Sequence, residues 1–373
     1  MSDIITPTGP TQSGTKGWLH TCAQGTKSCL HACAQGTKSW LHTRVQGNNL
    51  LVTITIGLFI ALYASGMGIY SNKNFGTLQS LLDMFTNNSA IIVLAAGMTM
   101  IIVLGGIDIS VGGQLAMYCM MFAVFIQRLH VNAYVMIVIV LLTGLVFGLF
   151  QGVLVAYFKL QPFIVTLAGM FLARGLTTVV STDTINITDR NFMALAMTRI
   201  RLPFGGLNGF GSPSYLYLHA LLAIIVVVIM FFVMTRTRFG RDIYAVGGSE
   251  QSAMLMGLNT KRIKLSAYML MGLLTACAGF CFCLMTPGSS VEKAQGYEMT
   301  AIAAAVIGGA LLTGGVGSIL GSLVGVLVLS TATKLINFNG TLMNGWTDIV
   351  KGAIMGFFIV LQSVFIYFRG KRK

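Results

Sequence analysis

The chain has 373 residues, of which 55% are hydrophobic and only 9% are charged. Its mean hydropathy is +0.80, and charged residues make up about a quarter of an ordinary soluble domain, so the composition excludes a soluble enzyme or binding module. The formal net charge is +14, but the Lys and Arg residues gather in polar segments beside apolar runs. That placement favours a membrane-topology signal, and no nucleic-acid partner is expected.

Residues 1–49 form a polar arm that contains three near-identical units, GTKGWLHTCAQ, GTKSCLHACAQ and GTKSWLHTRVQ. Eleven residues make about three helical turns, so one interpretation is a helix lying on the membrane surface, in contact with lipid. The Gly, Ser and Thr residues weaken a helix and favour a recent duplication without a defined role. The His-x-Cys pairs match no strong zinc pattern, so neither a metal nor another cofactor is expected.

Ten apolar runs follow the arm, and each is a candidate spanning helix because about 20 residues cross the hydrocarbon. The first is too long for a signal-peptide core, so we expect an uncleaved anchor. The fold class is therefore an all-α, polytopic helical bundle over 50–368. The runs are 50–70, 90–106, 111–127, 133–158, 162–181, 215–235, 265–286, 299–313, 316–334 and 346–368. Two of them, 111–127 and 299–313, are short enough to be half-helices, which would lower the number of spans to eight.

Positive charge predicts the orientation of the bundle, because Lys and Arg in short loops favour the cytoplasm. With ten spans, the arm, the loop 236–264 and the basic tail 369–373 all lie on the cytoplasmic side. Most of the acidic residues then lie outside. Both termini are therefore predicted to be cytoplasmic, in a bacterial inner membrane.

The loop 236–264 contains signals for a short helix. Ser249 is a good N-cap, Glu250 lies at the positive end of the helix dipole, and Gly257 can end the helix in a left-handed conformation. About two turns are marginal in water, so we expect this helix to be stabilised by docking against another surface. An ordered loop without a partner is the alternative.

Polar residues inside apolar sequence are candidate functional residues. In GGIDIS, Asp108 lies where one span ends and the next begins, so Asp108 and Ser110 either line a transport path or cap the following helix. Arg174 either lines the path or extends towards the membrane surface.

Glycines recur at every fourth residue in two apolar runs, which predicts close helix packing. They are Gly144, Gly148, Gly152, Gly317, Gly321 and Gly325. The stretch GGVGSILGSLVG has no preceding strand and so does not predict a nucleotide loop. No HExxH, GxSxG or paired-carboxylate motif is present, so no catalytic residues are assigned.

Three stretches carry a family resemblance: RTRFGRDIYAVGGSEQSAMLMGLNTKRIK (236–264), GGIDISVGGQLA (105–116) and GYEMTAIAAAVIGGALLTGGVGSILGSLVG (296–325). From about Leu50 to the C-terminus, the chain resembles the permease subunits of bacterial sugar ATP-binding-cassette importers of the ribose/xylose/galactose type. Thr300 stands where that family commonly has Asp. FIVTLAGMFLARG (163–175) and INFNGTLMNGWTDI (336–349) look most like galactofuranose-type permeases.

The resemblance implies a function and a set of partners. The chain would move a monosaccharide inward, paired with a second permease copy or paralogue and served by a periplasmic sugar-binding protein. It has no GxxxxGK[ST] loop, so ATP would be bound by a separate cytoplasmic ATPase. The resemblance places the contacts with that ATPase in a coupling helix, at Gly247, Gly248, Glu250, Ala253 and Gly257.

Two alternatives from other classes remain open at this stage. An ion-coupled secondary sugar transporter would need ionisable or unwound sites at the membrane midplane, where only Asp108 and Arg174 are available. A membrane enzyme acting on lipid-linked sugar would need a general acid or base in the outer loops. Its candidates are Asp183, Asp189, Glu292 and Glu298.

Overall fold

The computed structural model describes residues 52–70, 75–201, 214–339 and 345–370. The arm 1–49 and residues 371–373 of the tail lie outside these ranges, so the interpretations of the repeats and of the basic tail stay predictions. The helices are α1 (Val52–Ile69), α2 (Leu78–Asn87), α3 (Ser89–Val103), α4 (Val111–Gln127), α5 (Ala133–Ala156), α6 (Pro162–Val180), α7 (Arg190–Met197), α8 (Leu218–Arg236), α9 (Arg238–Gly248), α10 (Glu250–Leu255), α11 (Thr260–Met285), α12 (Tyr297–Ile307), α13 (Ile319–Asn339) and α14 (Gly345–Gly370).

Helices α1, α5, α6, α8, α11 and α13 are each long and apolar enough to cross a membrane. Within the described residues these six become seven when α2 and α3 are taken as one span with a 63° bend. The two short runs form α4 and α12, of 17 and 11 residues. Every predicted apolar run thus contains a helix, and the helical bundle is established with six to seven candidate spans.

The bundle is built around α3, all fifteen residues of which are buried. It packs against α8, α11, α12 and α13, while α11 runs along α5 and also contacts α4. In α5, α6 and α8, by contrast, only about a third of the most apolar window is buried. Helices that leave most of an apolar surface exposed are suited to contact with lipid, so the core lies at α3, α11 and α12.

Glycines let α5 and α11 approach each other closely. A Cβ atom added at Gly148 would lie only 3.0 Å from the Met269 Cα and 3.1 Å from the Gly272 Cα. Gly144 and Gly152 likewise face α11. Backbone-to-backbone contact of this kind replaces side-chain packing where a membrane offers no hydrophobic driving force between helices.

The run 299–313, predicted as a span or a half-helix, is helical only in its first part, because α12 ends at Ile307. Residues 308–318 form a turn in which Gly309, Gly314 and Gly315 have φ values of +91°, +85° and +73°. Glycine adopts such left-handed conformations without the steric cost of a Cβ. Gly317 therefore lies in this turn and not on one helix with Gly321 and Gly325, which pack against Gly308 and Ala304.

The all-α prediction also needs a correction, because the described residues include four short strands between helices. Strand β1 (Ile185–Asn186) pairs antiparallel with β4 (Gly288–Ser289), and β2 (Arg199–Arg201) pairs antiparallel with β3 (Tyr215–Tyr217). The first pair joins the α6–α7 connection to the α11–α12 connection. The second pair joins the two ends of the α7–α8 connection. Two or three residues give no periodicity from which a strand could be predicted.

Candidate functional site

A cavity of about 1150 Å³ opens between α2, the start of α3, α12, α13 and α14. Its size exceeds the 300–1,000 Å³ typical of small-molecule pockets. Apolar side chains, including Met84, Ile91, Met299 and Leu329, form part of the wall. The polar lining residues are Thr77, Gln79, Ser80, Asp83, Asn87, Asn88, Gln295, Thr300, Ser330, Thr333, Lys334 and Asn337, with Asp348 and Lys351 from α14.

Lys334 of α13 reaches across one side of the cavity to α2. Its ammonium donates hydrogen bonds to the Ser80 carbonyl at 2.7 Å and to the Ser80 hydroxyl at 2.6 Å. The same nitrogen lies 5.5 Å from the centroid of the Phe75 ring and 5.8 Å from that of Phe338, within reach of cation–π attraction. The lysine thus links the two helices and places a positive charge at the wall.

Asn88 marks the bend between α2 and α3 and faces the cavity. Its amide donates to the Met84 carbonyl and to the Ser330 hydroxyl, both at 2.8 Å. Its backbone is not helical, with φ −121° and ψ 17°. A side chain that bonds the backbone in this way competes with helix continuation, which explains why the span is broken here and how polar groups reach the cavity.

The charges around the cavity balance. Asp83 and Asp348 oppose Lys334 and Lys351, two acidic groups against two basic groups. Asp83 accepts from the Gln79 amide at 2.7 Å, and Asp348 lies 3.7 Å from the Lys351 ammonium. Hydroxyl and amide groups make up the rest of the polar lining. Such a wall offers hydrogen-bond donors and acceptors without net charge, which suits a neutral polyhydroxylated molecule.

The predicted coupling helix is present as α10, at the polar end of the bundle. The Ser249 hydroxyl accepts from the Ser252 N–H at 3.2 Å, and Gly257 follows the helix with φ +82°. Lys264 of α11 holds Glu250 with 2.7 Å contacts to both carboxylate oxygens. Within α10, Ala253 is fully buried, whereas Leu255 is 90% exposed.

Two glycines of this segment, Gly247 and Gly248, contact Gly315 of the turn 308–318, and a Cβ at Gly247 would lie 3.0 Å from the Gly315 nitrogen. The Gly315 N–H donates to the Val103 carbonyl at 2.8 Å, and a Cβ at Gly247 would overlap that carbonyl. A Cβ at Gly315 would meet the Gly248 Cα at 2.9 Å. The Tyr244 hydroxyl of α9 donates to the Gly317 carbonyl at 2.8 Å. The segment 236–264 therefore packs directly on the turn that connects α12 and α13, two walls of the cavity.

Asp108 and Ser110 do not line the cavity but form a buried polar cluster between α3 and α4. Asp108 Oδ1 accepts from the Ser110 N–H at 2.9 Å and from its hydroxyl at 2.5 Å. The Ser110 hydroxyl in turn accepts from Gln114 at 2.7 Å and from Gln151 at 2.8 Å. Ser110 occupies the N-cap position of α4 without a side-chain cap bond, so the pair closes the turn before α4 and ties it to α5.

Arg174 is not among the residues that line the cavity. Its guanidinium donates to the Val291 carbonyl at 3.0 Å and to the Lys293 carbonyl at 2.8 Å. Both carbonyls belong to the connection between α11 and α12. Arg174 thus fixes this connection to α6, immediately before α12 begins.

Sequence reasoning predicted the short capped helix in 236–264 but missed nearly all of the cavity. Thr300 was singled out only because it departs from the family pattern. Asn88, Ser330 and Lys334 come from separate elements and are polar types that are common in loops and helix ends. The only local signal was the polar stretch TNNS at 86–89 between two apolar segments.

The family was decided by comparison with known proteins. Residues 80–359 match the model of a family described as the branched-chain amino acid transport system, permease component. The match begins in α2 and ends in α14, and it includes most of the cavity-lining residues and all of 236–264. The chain belongs to this permease family. The permease is a multi-pass protein of the bacterial inner membrane, and its relatives confirm the predicted resemblance to sugar importer permeases.

Three relatives show what the permease is similar to, and the names of two of them refer to sugars. It is 38% identical to the inner membrane ABC transporter permease protein YjfF of Escherichia coli K12, over 84% of this chain and 92% of that one. It is 35% identical to the fructose import permease protein FruG of Bifidobacterium longum, over 85% and 91%. It is 34% identical to the ribose import permease protein RbsC of Escherichia coli K12, over 76% and 85%. No solved structure matches the chain.

Proposed function

We propose that this permease is the membrane subunit of an ATP-driven importer that carries a neutral monosaccharide inward through the cavity. One observation carries the proposal: the coupling segment packs on the turn between α12 and α13, which are walls of that cavity. Force applied to α10 from the cytoplasm reaches the cavity through the Gly247–Gly315 contact. Shifts of packed helices such as α12 and α13 are a recognised means of switching a protein between two states.

The remaining components follow from that role. A separate cytoplasmic ATPase binds ATP and seats on α10, where the exposed Leu255 and Met256 offer an apolar contact. A second permease copy or paralogue completes the membrane part, and a periplasmic sugar-binding protein delivers the substrate. We propose ten membrane crossings with both termini in the cytoplasm, as positive charge in 236–264 indicates.

The substrate class is a pentose or hexose. The balanced charges and hydroxyl-rich lining of the cavity support a neutral polyol, and the names of the relatives refer to ribose, fructose and galactose. Stretches 163–175 and 336–349 make galactofuranose the first sugar to test. The ion-coupled transporter and the lipid-linked-sugar enzyme are not favoured, because the relatives are import permeases.

Filling the cavity tests the proposed path. In liposomes that contain the permease, its ATPase and its binding protein, Thr300→Trp should abolish uptake of labelled sugar because the indole occupies the space between α12 and α13. Val179→Trp serves as the matched control, since Val179 is 81% exposed on the outside of α6. Undiminished uptake in a folded Thr300→Trp protein would place the path elsewhere.

A further inference from the structure

A second cavity, of about 460 Å³, lies at the end of the bundle that carries the coupling segment. The turn 157–161 between α5 and α6 forms one wall, α10 forms another, and the first turn of α11 forms the third. Neither the transport path nor the contact between α9 and the turn 308–318 uses it.

Three lysines make the lining of this cavity positively charged. Lys159, Lys261 and Lys264 line it against a single carboxylate, that of Glu250, so the lining carries a formal charge of +2. Glu250 is already engaged by Lys264 at 2.7 Å. In the described part of the chain, neither Lys159 nor Lys261 forms an ion pair with an acidic residue. Two ammonium groups therefore remain available to an anion.

Exposed apolar side chains lie beside the cavity in the turn that forms one of its walls, and a site for a soluble anion would not require them. Tyr157, Phe158 and Leu160 are 50%, 67% and 48% exposed in the same turn that bears Lys159. The Lys261 ammonium lies 5.8 Å from the Tyr157 ring centroid. Aromatic residues next to lysines at the ends of spanning helices lie at the level of the lipid headgroups. Basic pockets in this position bind anionic lipids.

We propose that this cavity binds the headgroup of an anionic phospholipid. The phosphate lies between the Lys159 and Lys261 ammonium groups, and Gln161 and Gln251 supply polar groups for the rest of the headgroup. The acyl chains follow the exposed apolar faces of α5 and α6. Because Glu250, Gln251 and Met254 of α10 form one wall, a bound lipid contacts the coupling helix directly. The cytoplasmic location rests on the orientation given with the proposed function.

The test measures lipid binding to the purified full chain without ATPase or sugar, so it is independent of whether transport is ATP-driven. Phosphatidylglycerol is titrated into protein held in phosphatidylcholine nanodiscs, and the bound lipid is counted by native mass spectrometry. The double variant Lys159→Gln with Lys261→Gln should bind phosphatidylglycerol roughly 30-fold more weakly, as expected for the loss of two lysines at the membrane surface. The control is Arg241→Gln with Arg262→Gln, which removes the same amount of positive charge from residues that do not line the cavity. Its affinity should stay within about twofold of the wild type.

Two results would overturn the proposal. An equal loss in both double variants would mean that the positive loop attracts anionic lipid without a defined site. Glycerol phosphate that occupies the site as tightly as phosphatidylglycerol would make the ligand a soluble phosphate. Thermal unfolding of each variant, compared with the wild type, separates loss of the site from loss of the fold.

Discussion

At the scale of single residues, packing in the permease is especially tight where glycines let α5 and α11 come into backbone contact. Gly148 lies against the α11 backbone, whereas a Cβ at Gly175 of α6 would meet nothing within 4 Å. Both are helical glycines in apolar sequence. Their surroundings alone distinguish them.

That difference predicts opposite effects of the same substitution. Gly148→Ala should destabilise the bundle by about 1–3 kcal/mol, because the added methyl forces α5 and α11 apart. Gly175→Ala should be neutral or slightly stabilising, since alanine is the better helix former. Thermal unfolding in detergent measures both. If the Gly148→Ala protein unfolded at the same temperature as the wild type, the backbones of α5 and α11 would not be in contact.

The residue scale also marks the limit of what sequence alone reveals. The spacing of Gly144, Gly148 and Gly152 predicts a packing face because helical periodicity is a local property. Lys334 and Ser80 are 254 positions apart, and their hydrogen bond depends on how α2 and α13 are placed in three dimensions. No local pattern encodes that contact.

Among the elements, α10 is the one that sequence reasoning predicted most fully. Its cap, its acidic first turn and its terminal glycine are local signals, and all three are where they were expected. The turn 308–318 was not predicted, because it lacks such local signals. GGALLTGGVGS is apolar and glycine-rich, so a hydropathy window cannot separate it from a spanning helix. Helix α2 was missed because its ten residues are too few and too polar to form an apolar run.

The left-handed end of α10 gives a prediction for this element. Gly257→Ala places a Cβ in a left-handed backbone and should cost about 1–2 kcal/mol, loosening the helix end. Sugar uptake should then fall by about 5-fold or more while the ATPase still hydrolyses ATP. Gly175→Ala of α6 is the control, because a Cβ there meets nothing within 4 Å and the residue lies outside 236–264. Equal uptake by the two variants would mean that the geometry of α10 does not govern coupling.

For the whole molecule, the central feature is a continuous chain of contacts from one end of the bundle to the cavity. It runs from α10 and α9 through Gly247 and Tyr244 to the turn 308–318, and from there into α12 and α13. The buried helix α3 lies beside this chain, since Val103 accepts the Gly315 bond. Nothing in the linear sequence joins residues 247 and 315; only the folded bundle does.

The most direct test compares the energy sources for uptake by the complete complex. Liposomes containing the permease, its ATPase and its binding protein are loaded with ATP, with ADP, or with neither under an imposed proton or Na⁺ gradient. Labelled sugar should accumulate only in the vesicles supplied with hydrolysable ATP on the side that carries 236–264, and ionophores should have no effect. Accumulation driven by an ion gradient without ATP would contradict an ATP-driven importer and would restore the secondary transporter.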